Sequence, residues 1–398
     1  MKISLRQLPR EVFILSVVGF FVAVGYGMII PAIPLFAKTF GVSTTAIGLI
    51  VSMFAISRFG SGLISGRFVD RIGERLTLGV GLFLVAVSSL LCGLSTSYDQ
   101  LLIFRMAGGL GSSMFSVSAG ALLMRSVTNE QRARAQSTYN GGFLLGGIAG
   151  PAFGGLLMTI SLRVPFFIYT VTLLFASFTA FFYLHEKRMG TKVAQVADPA
   201  QRVLMRHALK DLVYRRILVI NFLNNWVLFG IRGTLLSLYV TEVLKAPTAQ
   251  VGYAFTAAAI AQAAFLIYAG HFADKYGRRL GTMVGAALLM LTLGFSIFGT
   301  SMPLFYVAMS FYGVGGAFMG TAPAAIVGDL FGGKGGRVIA VFQMSGDAGM
   351  IISPLILGLL RDKYGFSAAF SVTAVIYVIA LLLAARLPET RNASHRIS

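Results

Sequence analysis

Runs of about 20 apolar residues recur along this 398-residue sequence, and they constrain the fold more than any other feature. A run of that length spans the ~30 Å hydrocarbon layer of a bilayer as one helix. Hydrophobic residues make up 56% of the chain and charged residues only 12%, which is about half the charged share of an average soluble domain. Two or three soluble domains could not cover their cores with so few charges. The sequence therefore predicts an all-α polytopic membrane protein.

The apolar runs predict twelve transmembrane helices in two groups of six. An N-terminal bundle over 1–184 is followed by a polar, basic linker over 185–216 that includes a cytoplasmic surface helix, and then by a C-terminal bundle over 217–398. The predicted spans are 11–34, 46–67, 76–95, 100–124, 137–160, 164–184, 217–241, 250–270, 280–300, 303–328, 337–360 and 367–386.

Lysine and arginine are concentrated on one side of this topology. With the N-terminus inside, 25 of the 33 basic residues lie in the inner segments and five lie in the outer ones. The positive-inside rule therefore predicts that both termini lie in the cytoplasm, in what we expect to be a bacterial cytoplasmic membrane. The formal net charge of +19 is then a topology signal, and nucleic acid is not an expected partner.

The sequence has no pattern typical of an enzyme or of a cofactor protein. The four histidines are scattered without metal-ligand spacing, and the single cysteine, Cys92, cannot form a disulfide framework. No Ser/His/Asp arrangement is apparent, and the phosphate-binding pattern Gly-x4-Gly-Lys-Ser/Thr is absent. We expect no catalytic residues, no metal and no cofactor.

The two halves of the chain repeat each other. The loop 66–75 aligns with the loop 270–279 at an offset of 204 residues, and further glycines and a proline align at offsets of 204 or 203. A nearly constant offset across several elements predicts two parallel, pseudo-symmetric six-helix repeats around a central path, which is the architecture of a secondary transporter. The further aligned pairs are Gly109 with Gly313, Gly111 with Gly315, Gly146 with Gly349, Pro151 with Pro354, and Gly155 with Gly358.

The repeated loop carries a candidate gating motif at each predicted cytoplasmic crossing. Gly66 is expected to let a neighbouring helix approach closely, Gly73 to permit a tight turn, and Asp70 to offer a carboxylate to a helix N-terminus or an arginine. The alternative is an ordinary basic loop that follows the positive-inside rule. The motif residues are Gly66, Asp70, Arg71, Gly73, Arg75, Gly270, Asp274, Gly277, Arg278 and Arg279.

The predicted fifth span concentrates glycine around one proline. Such a helix is expected to be kinked and to have a smooth face along which a partner helix can slide, although simple close packing is an alternative explanation. The motif residues are Gly146, Gly150, Pro151, Gly154 and Gly155.

Together these motifs resemble the major facilitator superfamily, and within it the twelve-span drug:proton antiporter group. The loop 66–75 resembles the superfamily loop motif, with Glu74 where a basic residue is more usual. The segment 101–111 resembles the fourth-span motif, and the glycines of 146–155 resemble the fifth-span motif associated with antiporters. The resemblance implies the corresponding fold, a small-molecule substrate and the proton as coupling ion.

The same resemblance implies how the loops close the cytoplasmic side. Asp70 would lie against the N-terminus of the eleventh span near 336–338, and Asp274 against the fifth span near 135–137. Arg105 would serve as a proton-relay or conformational arginine.

Ionisable groups inside spans are costly and are candidates for function. Asp347 is the only carboxylate well inside a predicted span, and the arginines inside spans are Arg58, Arg105 and Arg232. We take Asp347, Arg105 and Arg58 as candidates for proton coupling, because desolvation and a nearby arginine shift a carboxyl pKa in opposite directions. A static Asp–Arg pair is the alternative, and the first span lacks the acid that many proton antiporters carry.

Polar side chains in the predicted seventh span point to a cavity. Asn221, Asn225, Arg232 and Tyr239 fall within about 40° of one face at 100° per residue. A polar stripe on a helix within the membrane is expected to face a cavity and not lipid. The candidates for the substrate cavity are Tyr26, Asn221, Asn225, Arg232, Tyr239 and Gln343.

These features predict a monomeric, proton-coupled antiporter that exports small amphiphilic or aromatic compounds by alternating access. A facilitator or proton symporter for a sugar or metabolite is the first alternative. A receptor or scaffold that does not transport is the second.

Overall fold

The computed structural model of the chain describes residues 8–128, 131–184, 207–299, 301–331 and 336–390, and within these ranges all regular secondary structure is helical. The N-terminal half comprises α1 (Arg10–Lys38), α2 (Thr44–Gly60), α3 (Gly62–Ile72), α4 (Glu74–Leu94), α5 (Tyr98–Arg125), α6 (Arg132–Ile160) and α7 (Val164–Tyr183). The C-terminal half comprises α8 (Leu212–Asn225), a π-helical segment (Trp226–Leu235), α9 (Leu236–Glu242), α10 (Thr248–Tyr276), α11 (Arg278–Phe298), α12 (Met302–Phe331) and α13 (Gly336–Ala385).

Within the described ranges, nine helices are long and apolar enough to cross a membrane, so the protein is a multi-pass membrane protein. A tenth span results when α2 and α3, which meet at a bend of 49°, are counted together. The count of twelve depends on two further regions. The 50 residues of α13 include a break at Gly365 (φ 82°), and a helix of that length measures about 75 Å, enough for two spans. The predicted seventh span is divided among α8, the π-helical segment and α9.

The described chain forms two compact units. The first contains Met1–Val42, Leu49–Thr191 and Pro247–Thr256, and the second contains Ser43–Gly48, Lys192–Ala246 and Ala257–Ser398. Each unit therefore includes a short segment from the other half of the sequence, at the start of α2 or of α10. Most of the predicted linker, including the surface-helix region up to residue 206, lies outside the described residues.

Small residues allow the helices of each unit to pack closely. In the first unit α1 packs against α6 and α7, and α4 packs against α5 and α7. In the second unit α11 packs against α12, and α8 with its π-helical extension packs against α13. Lipid tails are as apolar as leucine, so close van der Waals contact, and not burial of apolar surface from water, holds such helices together.

Candidate functional site

The two motif loops make the same tight turn. Gly73 has φ 89° between α3 and α4, and Gly277 has φ 117° between α10 and α11. Residues that have a Cβ rarely adopt a backbone conformation with positive φ, which explains why both turns require glycine. The expectation for the first motif glycine is wrong in this structure, because a Cβ at Gly66 or Gly270 would meet no atom within 4 Å. A close helix approach therefore does not explain these two glycines.

A buried ion pair supports the loop of the first unit. Glu74, the first residue of α4, pairs with Arg125, the last residue of α5. The Glu74 side chain is 6% exposed and the Arg125 side chain 35% exposed. Nearby, the Arg75 guanidinium donates to the carbonyl of Phe181 on α7. Of the other motif residues here, Asp70 and Arg71 are exposed.

The loop of the second unit has an ion pair of the opposite polarity. Arg278, the first residue of α11, contacts Asp329 near the end of α12 with Nε 3.2 Å from Oδ2, and it also pairs with Asp274. Arg278 and Asp329 lie 204 residues after Glu74 and Arg125. Both halves of the chain therefore have an ion pair at equivalent positions, but the acidic and the basic residue are exchanged.

Helix dipoles explain why the second unit needs additional partners. A carboxylate is favoured at a helix N-terminus and a cation at a C-terminus, so Glu74 and Arg125 are well placed, whereas Arg278 and Asp329 are not. Glu389 compensates by accepting the backbone N–H groups of Arg278 at 2.9 Å and of Arg279 at 3.3 Å. The Thr390 hydroxyl donates to Asp329 at 3.0 Å.

Sequence reasoning missed this exchanged pair, although a signal for it was present. Glu74 departs from the motif, in which a basic residue is more usual, and such a change of sign predicts a basic partner nearby. Extending the 204-residue offset to the end of the fourth predicted span would have aligned Arg125 with Asp329.

The glycine motif of α6 lies against α1. A Cβ at Gly146 would approach the carbonyl oxygen of Phe20 to 2.5 Å, and one at Gly154 would approach the Cα of Met28 to 2.7 Å. At Gly150 it would lie 2.9 Å from the Cα of Gly27. These neighbours are backbone atoms that cannot rotate away, so the motif forms a face of tight helix–helix contact with Pro151 within it.

One contact recurs in both units. In the first unit Gly252, in the first turns of α10, packs on α6, where its Cβ would lie 2.5 Å from the carbonyl oxygen of Pro151. In the second unit Gly48, in the first turns of α2, packs on α13, where its Cβ would lie 2.6 Å from the carbonyl carbon of Pro354. Gly155 of α6 completes the first contact, since a Cβ built there would lie 2.8 Å from the Cα of Gly252. The motif glycine that does not face α1 therefore faces α10.

Only one of these contacts carries a charged cap. Asp362 on α13 accepts the N–H of Thr44 at 2.9 Å and the N–H and hydroxyl of Thr45 at 2.7 and 2.8 Å. Arg361 Nη1 lies 3.3 Å from the same carboxylate. Burial raises the pKa of the Asp362 carboxyl, but the Thr45 and Thr44 hydrogen bonds outweigh burial and hold the pKa well below its usual range. The equivalent position in the first unit is Thr159, which has no carboxylate.

This cap is expected to be insensitive to pH between 5 and 8. A depressed folded pKa means that the contact is fully formed above the ordinary carboxyl value of about 4 and is lost only as pH falls through the lower folded value. After correction for intrinsic exchange, hydrogen–deuterium exchange of a peptide over 43–50 should show constant protection across this range. Asp362→Asn should lower protection about tenfold, since hydrogen bonds to a charged group contribute ~1.5–3 kcal/mol. Lys363→Gln is the control and should have no effect. A fall in protection from pH 8 to pH 5, or full protection in Asp362→Asn, would contradict the assignment.

Two asparagines join α8 to α13 beside the one predicted intramembrane carboxylate. The Asn221 amide donates to the Phe342 carbonyl at 2.7 Å, and the Asn225 amide donates back to the Asn221 carbonyl at 2.9 Å. A Cβ at Gly346 would lie 2.6 Å from the Asn225 amide nitrogen and 2.9 Å from that of Asn221, so a larger residue would displace these two amides. Asp347, the next residue, is half-buried. Gln343, one turn earlier on α13, is exposed.

The expected common face of the seventh span is wrong, because the helix changes type. The segment Trp226–Leu235 is π-helical, with fewer degrees per residue than the 100° assumed. Arg232 lies within it and is half-buried. Tyr239, beyond it, donates its hydroxyl to the Gly299 carbonyl at 2.5 Å and is only 4% exposed, in contact with the rings of Phe305, Phe366 and Phe370. Tyr239 is therefore a packing residue in this structure.

The first unit buries the predicted Arg105 against two aromatic rings, one of which is the predicted Tyr26. Arg105 on α5 is 5% exposed, and its Cζ lies 4.0 Å from the ring centroid of Phe54 on α2 and 5.9 Å from that of Tyr26 on α1. The two rings stack with centroids 6.4 Å apart. Arg58, one helical turn after Phe54, is exposed, and its Nη2 lies 3.4 Å from the Ser116 hydroxyl.

Comparison with known proteins agrees with this organisation. The sequence profile described as Major Facilitator Superfamily matches residues 15–243 and 217–397, which together cover nearly the whole chain. The chain belongs to this superfamily. Its members are transporters and not enzymes, as the sequence predicted.

Several relatives are bacterial resistance proteins. The chain is 28% identical to Multidrug resistance protein 2 of Bacillus subtilis over 47% of this chain, and that match spans about half of the relative (46%). It is 25% identical to Quinolone resistance protein NorA of Staphylococcus aureus strain MRSA252, over 89% of this chain and 91% of NorA. It is 24% identical to Multidrug resistance protein 1 of B. subtilis, over 94% of this chain and 96% of that protein.

Solved structures of superfamily transporters share the fold. A bacterial homologue of the human lysosomal transporter Spinster, in an inward-facing and unoccupied conformation, has a TM-score of 0.80 at 14% identity, over 94% of this chain and 95% of that one. A point mutant of the nucleoside transporter NupG has a TM-score of 0.71 at 12% identity, over 94% of this chain and 97% of NupG. At these identities the similarity shows the fold alone.

Proposed function

We propose that the protein is a proton-coupled antiporter that exports small amphiphilic or aromatic compounds by alternating access. It would act as a monomer in a bacterial cytoplasmic membrane, with both termini in the cytoplasm. The observation that carries the proposal is the similarity, over nearly the full chain, to relatives named for multidrug and quinolone resistance. The glycine motif of α6, which resembles the motif associated with antiporters, supports the same proposal.

The two loop motifs would act as gates on the cytoplasmic side. Each motif turn is held by an ion pair, between Glu74 and Arg125 in one unit and between Arg278 and Asp329 in the other. A gate that opens and closes must keep its own shape while its outer contacts change, and these pairs provide that rigidity. Asp70, exposed at the end of α3, is then available to contact a partner helix.

Asp347 is the proposed proton-binding group. It is half-buried and directly follows Gly346, the glycine of α13 against which the Asn225 amide of α8 packs. Protonation would remove a charge adjacent to this contact and change the relative stability of the states in which the two helices are packed or separated. Coupling requires such a difference between states.

Asp347→Asn is expected to reduce substrate-driven proton movement by more than tenfold. The change keeps the shape of the side chain and removes only the titration. Purified protein in liposomes with an internal pH-sensitive dye, under an imposed proton gradient, provides the measurement. The control is Asp99→Asn, which neutralises an exposed carboxylate at the N-terminus of α5.

The outcomes also separate the alternative functions. Unchanged proton movement in Asp347→Asn would exclude this residue as the coupling group. If the unsubstituted protein equilibrates a sugar or metabolite without proton movement, it is a facilitator and not an antiporter. No movement of any compound from a panel of dyes, antibiotics and sugars would favour the scaffold.

A further inference from the structure

Arg105 is a buried cation without a counter-ion among the described residues of its own unit. The residue is 5% exposed, and its Nε is buried with no hydrogen-bond partner. Among the described residues of the first unit, it contacts the rings of Phe54 and Tyr26 and has Cys92 and Tyr169 as electrostatic neighbours, and none of these interactions is a hydrogen bond or an ion pair. Moreover, the one carboxylate within the predicted spans of this unit is Glu11, in the first turn of α1.

The ring contacts alone do not account for this placement. A cation–π contact contributes about 0.5–2 kcal/mol, whereas desolvating an ion costs several kcal/mol. Buried arginines therefore normally have a carboxylate or several hydrogen-bond acceptors, and an orphaned buried donor needs an explanation. Here Phe54 lies over the guanidinium, so an acceptor would have to approach along the plane of its N–H groups.

The surroundings favour an anionic, aromatic ligand. Arg58 is a second arginine of the predicted spans, and its described side-chain contact is with the Ser116 hydroxyl and not with an acid. A planar guanidinium binds the two oxygens of a carboxylate in a bidentate manner. The half-buried ring of Tyr26, stacked on Phe54, lies beside the guanidinium and can contact an aromatic group attached to that carboxylate.

We propose that Arg105, Phe54 and Tyr26 form a binding site for the oxyanion of an aromatic organic acid. The inference rests on the proposed export function and specifies its substrate class as aromatic acids or zwitterions and not simple lipophilic cations. Arg105 then binds the substrate directly, in place of the proton-relay role that the family resemblance implies.

Three dansyl compounds that share one fluorescent ring system test the proposal. They are dansylglycine, an anion, dansylglycinamide, its neutral amide, and dansylcadaverine, a cation. Fluorescence titration of the purified full-length protein in phosphatidylcholine nanodiscs at pH 7 should give a dissociation constant for dansylglycine at least about tenfold lower than for the other two. Equal binding of the anion and its amide by the unsubstituted protein would overturn the proposal without any variant.

Three variants test whether Arg105 causes the preference for dansylglycine over its amide. Arg105→Gln should reduce the ratio between dansylglycine and its amide to about one, while Arg105→Lys should retain part of the preference because the charge remains. Arg163→Gln is a matched control, since Arg163 also lies over a ring, Phe36 at 5.3 Å, but already donates to the Gly93 carbonyl at 3.1 Å. A preference that survives Arg105→Gln, or that is lost in Arg163→Gln, would contradict the assignment.

Two further experiments test whether the oxyanion belongs to a soluble acid or to a lipid headgroup, and whether the protein transports the compound that it binds. Adding phosphatidylglycerol to the nanodiscs should leave dansylglycine binding unchanged if the site takes a soluble acid. Displacement by this lipid would overturn the substrate assignment. In liposomes, proton-coupled export of dansylcadaverine but not of dansylglycine would uphold the proposed function and reject the site. Anion binding at Arg105 without proton-coupled transport would uphold the site and reject the proposed function.

Discussion

Exchanging the charges of Glu74 and Arg125 is expected to preserve most transport, whereas inverting either charge alone is expected to abolish it. Glu74→Arg places two cations together, and Arg125→Asp places two carboxylates together, at a position where one side chain is 6% exposed. Leaving a buried charge unpaired costs about 3–5 kcal/mol. The exposure of Arg125 puts the expected cost near the lower end of that range.

The double variant Glu74→Arg/Arg125→Asp restores the pair in the polarity that the second unit already uses. Rescue should be incomplete, because each charge then opposes its helix dipole at a cost of about 0.3–1 kcal/mol. We expect at least half of the efflux activity and a lower midpoint of thermal unfolding than in the unsubstituted protein. Efflux from cells and thermal unfolding in detergent provide the measurements.

The second unit provides the contrasting control. Exchanging Arg278 and Asp329 in the same way should not restore function, because the new carboxylate at 278 would lie beside Asp274, and Glu389 already binds the backbone N–H of that residue. A double variant at 74 and 125 as inactive as its single variants would show that the polarity of this pair is itself required.

Gly150→Ala on α6 is expected to cause a large loss of both stability and transport, while Gly147→Ala is expected to cause none. A Cβ at 150 would lie 2.9 Å from the Cα of Gly27 and closer still to the Val24 carbonyl, so the α1 backbone would have to shift. Overpacking of this kind costs about 1–3 kcal/mol. A Cβ at 147 would meet nothing within 4 Å.

The pair is closely matched, since both glycines lie in the interior of one helix, three residues apart. Glycine to alanine in a helix is itself stabilising by about 0.5–1 kcal/mol, so Gly147→Ala should unfold at the same temperature or slightly higher. Efflux and the midpoint of thermal unfolding, each normalised to protein in the membrane, distinguish the variants. Equal effects of the two substitutions would show that the glycine face does not hold α1 in the functional protein.

The sequence predicted most of the fold because the signals for it are local or repeated. A lipid environment requires each span to satisfy its own backbone hydrogen bonds, so apolar runs predict helices directly. The turns at Gly73 and Gly277 were predictable because a positive φ favours one residue type. The superfamily followed from motifs at fixed spacing, and the family match confirmed it.

The predictions for the site were wrong where the position of a residue depends on a partner that is distant in the sequence. The π-helical segment displaced Tyr239 from the face that 100° per residue predicts, and it brought its hydroxyl to Gly299. Gly66 has open space where a close helix was expected. Neither of these two findings can be predicted from the periodicity of the sequence.

By itself, the sequence determined that this chain is a helical membrane protein with two repeated halves, because hydropathy and spacing along the chain are enough to specify spans, turns and repeats. Only the tertiary structure decided which charges are paired. It joined Glu74 to Arg125, bound Asp362 to Thr44 across 318 positions, and placed Arg105 against two aromatic rings without an ion pair to any described acid of its unit. The reason is physical: the energy of a buried charge depends on the atoms within a few ångströms of it, and packing alone decides which atoms those are.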